Sequence, residues 1–466
     1  MRSILIGIIV FFVAVLLGFL SSQASSSRII WGCLAVAVFA IAFFKVDWGL
    51  YILIFSMLLS PEFIVGETGG ATLGRGVTLR LEDFLLVIIG FSWFARNAVH
   101  KELGLFRKTP LNRAIFLYVT LCALATGLGL MAGRVELKSG ILFLLKYVEY
   151  FIVFFMVVNH IRHRDQVRRL VFCLLLTCFI VSVVGILQIP GDGRVSAPFE
   201  GRAGEPNTFG GYLLFMGMIA AGVLAVDDDR RSKMRMVVLI LTILPAFLFT
   251  LSRASYLALV PALMVIVWQM PRRLIVTGLL GIGLIVSPLF LPAAVKHRIL
   301  YTFNQPAHKD QIEVGNIRID TSTSARIVSW KDALADWTRY PLLGHGITGY
   351  RFVDAQIPRV LAETGVLGLA AFLYLLYCIG RTALENRRHL DDRYLRGIVI
   401  GYLAGFVGLL VHAVGANTFI IVRIMEPFWF FTGIVAVLPA LETGVAPVAT
   451  SVPHPHVFGA VARGRV

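Results

Sequence analysis

Apolar blocks, each about 20 residues long, follow one another along almost the whole chain, separated by short and mostly basic connections. A block of that length is what an α-helix needs to cross the hydrocarbon core of a bilayer. In lipid, moreover, every backbone N–H and C=O must find its partner within the protein. The chain is 58% hydrophobic and 15% charged, against roughly 45–50% and about 25% in a soluble protein. Spans are predicted near 3–21, 28–44, 48–66, 82–97, 113–131, 139–159, 169–188, 208–226, 235–252, 254–270, 273–291, 364–383, 396–414 and 421–440. The expected fold is all-α: a polytopic transmembrane helical bundle of about 12–14 spans, with a large, partly helical loop before the last three helices. The tightest predicted hairpins are at Lys45 and at Ser252–Arg253.

Charge gives the bundle a direction. The formal net charge is +16, which in a soluble protein would suggest nucleic acid. Here the basic residues sit in alternate short loops: Lys101 to Arg113, Arg162 to Arg169, Arg230 to Arg235, Arg272–Arg273 and Arg387 to Arg396. That alternation is the positive-inside pattern, so no nucleic-acid partner is expected. It puts both termini in the cytoplasm and the long loop outside. The chain then divides into residues 1–291 with eleven spans, a loop 292–363, three spans in 364–440, and a disordered tail 441–466 that is rich in Pro, Val and Ala. The first block also has some features of a signal peptide; its cleavage would leave the remaining topology unchanged.

Other chemistries are poorly represented. The five cysteines (Cys33, Cys122, Cys173, Cys178 and Cys378) lie inside apolar blocks without metal-ligand spacing, and read as small packing residues. His454–Pro455–His456 reads as solvated tail. There is no P-loop, GxGxxG, HExxH or nucleophile elbow, which argues against a nucleotide-driven pump or a serine hydrolase. No metal site or cofactor is expected.

The long loop carries an amphipathic pattern. In ARIVSWKDALADWTRYP, Ile327, Trp330, Leu334 and Trp337 recur at helical spacing, ahead of Pro341 and a turn built on Gly344, Gly346 and Gly349. The pattern suits a helix on the bilayer surface or a lid over an outer-face site. Four arginines fall on that face: Arg202, Arg253, Arg326 and Arg359. Guanidinium forks suit the oxygens of a diphosphate, although snorkelling to lipid headgroups is the common role of interfacial arginines. Lys146 with Glu149, and Arg423 with Glu426, stand three apart, a spacing that permits pairing within a helix. His412 lies near the outer end of its span.

These segments, in this order, resemble the O-antigen ligase and O-antigen polymerase (Wzy-type) superfamily. The stretches are RLEDFLLVIIGF, LKYVEYFIVFFMVVN, GEPNTFGGYLLF, TLSRASYLAL, SARIVSWKDALADWTRYPLLGHGITGY, LAETGVLGLAAFLYL and HAVGANTFIIVRIMEPFWFFTG. The resemblance spans residues 80–440 and is most specific in the loop. It implies a metal-independent glycosyltransferase of the bacterial inner membrane. Such an enzyme takes a glycan from an undecaprenyl diphosphate-linked donor at the periplasmic face. It passes the glycan to a growing glycan or to lipid A core, and a chain-length regulator is a further partner of such polymerases. Arg202 and Arg253 would then grip the diphosphate, and Arg326 or Arg359 would contact donor or acceptor; Asn207 and His412 are further substrate-binding candidates. Ligases of the family carry a His before the exit helix. Here that stretch reads VDAQIPRVLAETG, which leaves Asp354, Glu363 or His345 to accept the acceptor's proton. The missing His favours a polymerase of O-antigen or exopolysaccharide over a ligase. A transporter or flippase for the same lipid-linked glycan is the alternative from another class. The absence of an evident repeat and the clustering of charges at one face weigh against it.

Overall fold

The computed structural model describes residues 26–66, 77–100, 107–191, 193–199, 204–270, 273–306, 311–314 and 317–442. The first predicted span, Arg202 and the C-terminal tail with its His-Pro-His lie outside the described residues. Fifteen helices follow in order: α1 (Ser26–Phe44), α2 (Val46–Leu59), α3 (Leu81–His100), α4 (Asn112–Met131), α5 (Leu137–His160), α6 (Arg164–Gln188), α7 (Pro206–Val226) and α8 (Arg230–Phe249). Then come α9 (Arg253–Trp268), α10 (Arg273–Phe290), α11 (Ala293–Asn304), α12 (Thr321–Trp337), α13 (Gln356–Arg387), α14 (Arg393–His412) and α15 (Val422–Glu442). Two small antiparallel ribbons accompany them, β1 (Glu62–Gly66) with β2 (Val77–Arg80), and β3 (Glu313–Val314) with β4 (Ile317–Arg318). Among the described residues, nine helices are long and apolar enough to cross a membrane.

The helices break at both predicted turns. Lys45 alone separates α1 from α2, and Ser252 caps α9 by accepting a hydrogen bond from the Ser255 backbone N–H. The span predicted at 48–66 is shorter than expected, because α2 stops at Leu59 and the chain continues as β1. Pro61 is the reason: it has no N–H to continue the helix and drives the preceding Ser60 into extended backbone.

The centre of the bundle is the crossing of α7 and α14. Lipid is as apolar as leucine, so helices in a bilayer gain little from hiding apolar surface from one another; close packing must hold them. Gly397, Gly401 and Gly405 recur every fourth residue along α14. A Cβ on Gly401 would stand 2.5 Å from the Met218 carbonyl oxygen, and one on Gly222 would stand 2.3 Å from the Gly401 nitrogen. Backbone therefore meets backbone. Beside this crossing Phe215, Tyr402, Phe428 and Phe431 interleave, and Trp429 of α15 stacks among Tyr150, Phe151 and Phe154 of α5. By contrast, α10 buries none of its apolar window inside the protein.

The helix ends sort into two sets of connections. At one end Arg168 pairs with Asp392 at 2.7 Å, Arg164 with Glu442, and Arg393 with Asp228. At the other end, the start of α7 and the end of α14 meet the segment between α10 and α13.

Within that segment α12 departs from the predicted stripe. Its buried positions are Ser324 and Ala333, whereas Leu334 is 50% exposed. Trp330 packs with Ala333, Val353 and Ala362. Small residues let α12 approach its neighbours, and exposed apolar side chains cost little beside a bilayer.

The turn after α12 is stitched into α13. At Gly365 the helix leaves helical geometry, with φ at 66°. The carbonyls of Ala362 and Glu363 lose their helical donors and instead accept from the N–H groups of His345 (2.9 Å) and Gly346 (2.8 Å). In exchange, the Val366 and Leu367 N–H groups donate to the carbonyls of Pro341 and Leu342, at 2.9 and 3.2 Å. The glycine-rich turn thus completes the hydrogen bonding of a broken helix. The predicted short helix through Val360–Leu361–Ala362 is the first part of α13, on the near side of this break.

Candidate active site

A cavity of about 590 Å³ opens where the start of α7, the loop before it, the approach to α13 and the turn before α15 converge. Arg194, Asn207, Phe352, Asp354, Arg359 and Asn417 are among its walls. Pro206 occupies the first turn of α7, where its missing N–H costs nothing, and the Thr208 hydroxyl donates to the Glu205 carboxylate at 2.8 Å. The first turn of α7 directs its positive dipole end into this space.

Sequence spacing does not mark Arg194, yet three hydrogen bonds hold its guanidinium in the cavity wall. Its Nε donates to the Thr250 carbonyl at 3.0 Å, and its Nη2 to the Leu251 carbonyl (3.3 Å) and to Asn207 Oδ1 (3.2 Å). It therefore caps the negative end of α8 while facing the positive end of α7. Burial, reinforced by the charges of Arg298, Arg253 and Arg326, pushes its pKa down to about 10. Nothing in GDGRVSAPFEGRAG distinguishes Arg194 from Arg202 by spacing; only the return of the loop onto α8 does.

Arg253 opens α9 and pairs with Asp320 at 2.8 Å. Arg326 of α12 reaches Asp354 with both Nε (3.2 Å) and Nη2 (2.9 Å), which meet the same carboxylate oxygen. Arg298 of α11 adds a further cation; burial and the neighbouring Arg253 lower its pKa. Arg359 donates to Glu363 at 3.1 Å, with the rings of Phe143 and Phe352 at 5.9 and 5.8 Å.

The structure thus brings Asn207, Asp354 and Arg359 into one cavity. Arg326 is attached through Asp354, and Arg253 lies close enough to act on Arg194. Glu363 is held by Arg359 and does not line the cavity. His345 does not line it either: its Nδ1 contacts the Ala362 carbonyl at 3.0 Å, and its ring lies between Tyr340 and Tyr350. His412 is fully buried behind the wall, with Nδ1 at 2.8 Å from the Thr418 hydroxyl.

The two spaced charge pairs differ. Lys146 pairs with Glu149 at 3.6 Å and also binds Asp83. Neither carboxylate oxygen of Glu426, however, has a hydrogen-bond partner among the described residues, so the intrahelical contact to Arg423 is not made. Arg423 turns to the Pro198 carbonyl instead, at 2.8 Å.

The Arg253–Asp320 contact is a pH-sensitive latch on the segment before α12. Burial raises the Asp320 carboxyl, but hydrogen bonds from Arg253 and Thr323 outweigh it and hold the pKa below the ordinary 3.8. A depressed carboxyl contributes stability that is complete above its unfolded pKa and is lost as pH falls through the folded value. Hydrogen exchange of residues 317–324 should therefore be flat from neutral pH to about 4, after correction for intrinsic rates, and should rise below that. Asp320→Asn should show the faster exchange already at neutral pH.

Residues 236–373, about a third of the chain, match the family model described as O-antigen ligase. This match supports a relation of that part of the chain to the O-antigen ligase/polymerase superfamily. No curated protein matches it. The O-antigen ligase match runs from α8 past the break in α13. It takes in Arg253, Asp320, Arg326, Asp354 and Arg359, while Arg194 and Asn207 precede it. The chain is thus a polytopic helical membrane protein whose residues 236–373 are similar to the O-antigen ligase family.

Proposed function

We propose that this protein is a periplasmic-face glycan polymerase that extends an undecaprenyl diphosphate-linked O-antigen or exopolysaccharide. The observation that carries the reading is the cavity in which Arg194, the first turn of α7, Arg359 and the carboxylate of Asp354 converge. The sidedness rests on the basic connections, which gather at the opposite helix ends.

The acceptor hydroxyl oxygen attacks the anomeric carbon of the donor glycan. The new glycosidic C–O bond forms as the bond from that carbon to the diphosphate oxygen breaks, and the leaving diphosphate keeps the electron pair. Guanidinium groups and the α7 dipole are set in place beforehand to receive that charge. Asp354 takes the hydroxyl proton. To do so it exchanges Arg326 for the acceptor, which frees Arg326 for the donor's phosphates. Neither His345 nor Glu363 lines the cavity, so Asp354 is the base this geometry favours among the three.

Asp354→Asn keeps the side-chain shape and removes the base. In reconstituted protein supplied with lipid-linked donor, it should lower transfer by about 10²–10⁴-fold. Near-normal turnover would exclude Asp354 from that role.

A ligase reading, with lipid A core as acceptor, is favoured by the description of the matching family model. Deletion separates the two. Loss of long glycan marks a polymerase; unchanged glycan length with no transfer to lipid A marks a ligase.

A further inference from the structure

A second cavity, of about 600 Å³, runs along α13 and α14, from Leu373 and Leu410 towards Arg388 at the helix end opposite the proposed active site. Leu376, Leu384, Phe406 and Leu410 give it an apolar floor. On α13 its lining follows helical spacing: Leu373, Leu376, Tyr377, Gly380, Arg381, Leu384, Glu385 and Arg388 share one face. Gly380 keeps the groove open, since a Cβ there would meet only the Phe406 ring, at 3.4 Å. From Leu373 to Arg388 the face runs about 22 Å along the helix, comparable to one lipid leaflet.

The polar end of the groove is cationic. Arg381 gives its Nε to Glu385, and Arg388 makes no ion pair among the described residues. Arg387 feels the charge of both Arg388 and Arg396. Two arginines against one carboxylate leave an excess positive charge where the apolar groove ends, in the loop set that the positive-inside pattern puts in the cytoplasm. Water would not fill an apolar groove facing the bilayer; an acyl chain would.

We propose that this groove binds an anionic phospholipid of the cytoplasmic leaflet, with its phosphate on Arg388 and Arg381 and an acyl chain along Leu376 to Phe406. Charge complementarity selects this occupant over a neutral lipid. The donor's diphosphate belongs at the opposite end of α13, near Arg359.

Native mass spectrometry of the full-length protein tests the proposal, with phosphatidylglycerol, phosphatidylcholine and inorganic phosphate supplied separately at equal concentration. Phosphatidylglycerol should be retained roughly tenfold or more over phosphatidylcholine, on a monomer. Arg381→Gln with Arg388→Gln should bring the two lipids level. Both side chains are exposed, so the fold should tolerate the pair. Gly380→Leu should reduce phosphatidylglycerol retention with both arginines intact. Equal retention of the two lipids by the native protein would overturn the proposal, as would undiminished selectivity in the double variant. Binding of inorganic phosphate as strong as that of the lipid would show a bare anion site and overturn it too. So would retention only on a dimer that Gly380→Leu disrupts, which would make the groove an interface between copies.

Discussion

Arg253→Ala is expected to abolish long-chain glycan while leaving the protein in the membrane. Removing one preorganised group that stabilises developing negative charge commonly costs about 10²–10³ in rate, and a lipid-linked diphosphate places its leaving charge where these guanidiniums gather. The guanidinium of Arg253 is fixed in place before any substrate arrives. Ser252 caps α9 directly before it, and Asp320, itself 2% exposed at its side chain, fixes its fork at 2.8 Å. The variant also breaks the latch on the loop, so Asp320→Asn is the necessary comparison: it opens the latch but keeps the guanidinium. Substantial transfer by Asp320→Asn beside none in Arg253→Ala would assign the loss to the charge. Arg253→Lys should recover only part of the rate, because an ammonium cannot make the bidentate contact. Transfer is read as ladder length on gels, with membrane content measured in parallel. A normal ladder in Arg253→Ala would refute the role.

Gly401→Leu should have an equally large effect by a different route. Its first added carbon would lie 2.5 Å from the Met218 carbonyl and 2.6 Å from the Ile219 Cα. Both are backbone atoms of α7, so no side-chain rotation relieves the clash. The helices must separate, and the start of α7 carries Asn207 and the dipole end that face the cavity. Overpacking a core typically costs about 1–3 kcal/mol when side chains can shift, and more when they cannot. Fluorescence-detected size exclusion should show little monodisperse protein. A native elution profile with full activity would mean that the α7–α14 crossing does not organise the site.

The helices were legible because lipid leaves a chain few choices: a span must be long, apolar and internally hydrogen-bonded. The structure agrees at the Lys45 and Ser252 breaks, where a single residue or a capping serine marks the turn. The apolar criterion overran at Pro61, since Phe63, Ile64 and Val65 continue the apolar run after the proline has ended the helix. It also misread Leu334, because apolarity does not predict burial next to a bilayer.

The site was legible in part. Asn207, Asp354 and Arg359 share a cavity, as motifs at three distant points along the chain can suggest but not demonstrate. The Arg253–Asp320 latch joins residues 67 apart, and no local spacing encodes it. Arg194 escaped notice for a similar reason: its partners, Thr250 and Leu251, belong to another helix end. Local periodicity reports which face of a helix is apolar. It carries no information on which loop folds back to supply a charge.

The most direct test of the proposed activity is purified protein in detergent with an undecaprenyl diphosphate-linked glycan repeat, where no transport is possible. Longer lipid-linked glycan is expected, with one undecaprenyl diphosphate released per bond formed, and neither product from Arg253→Ala. A donor that stays unextended in the presence of active, folded protein would contradict the proposed activity.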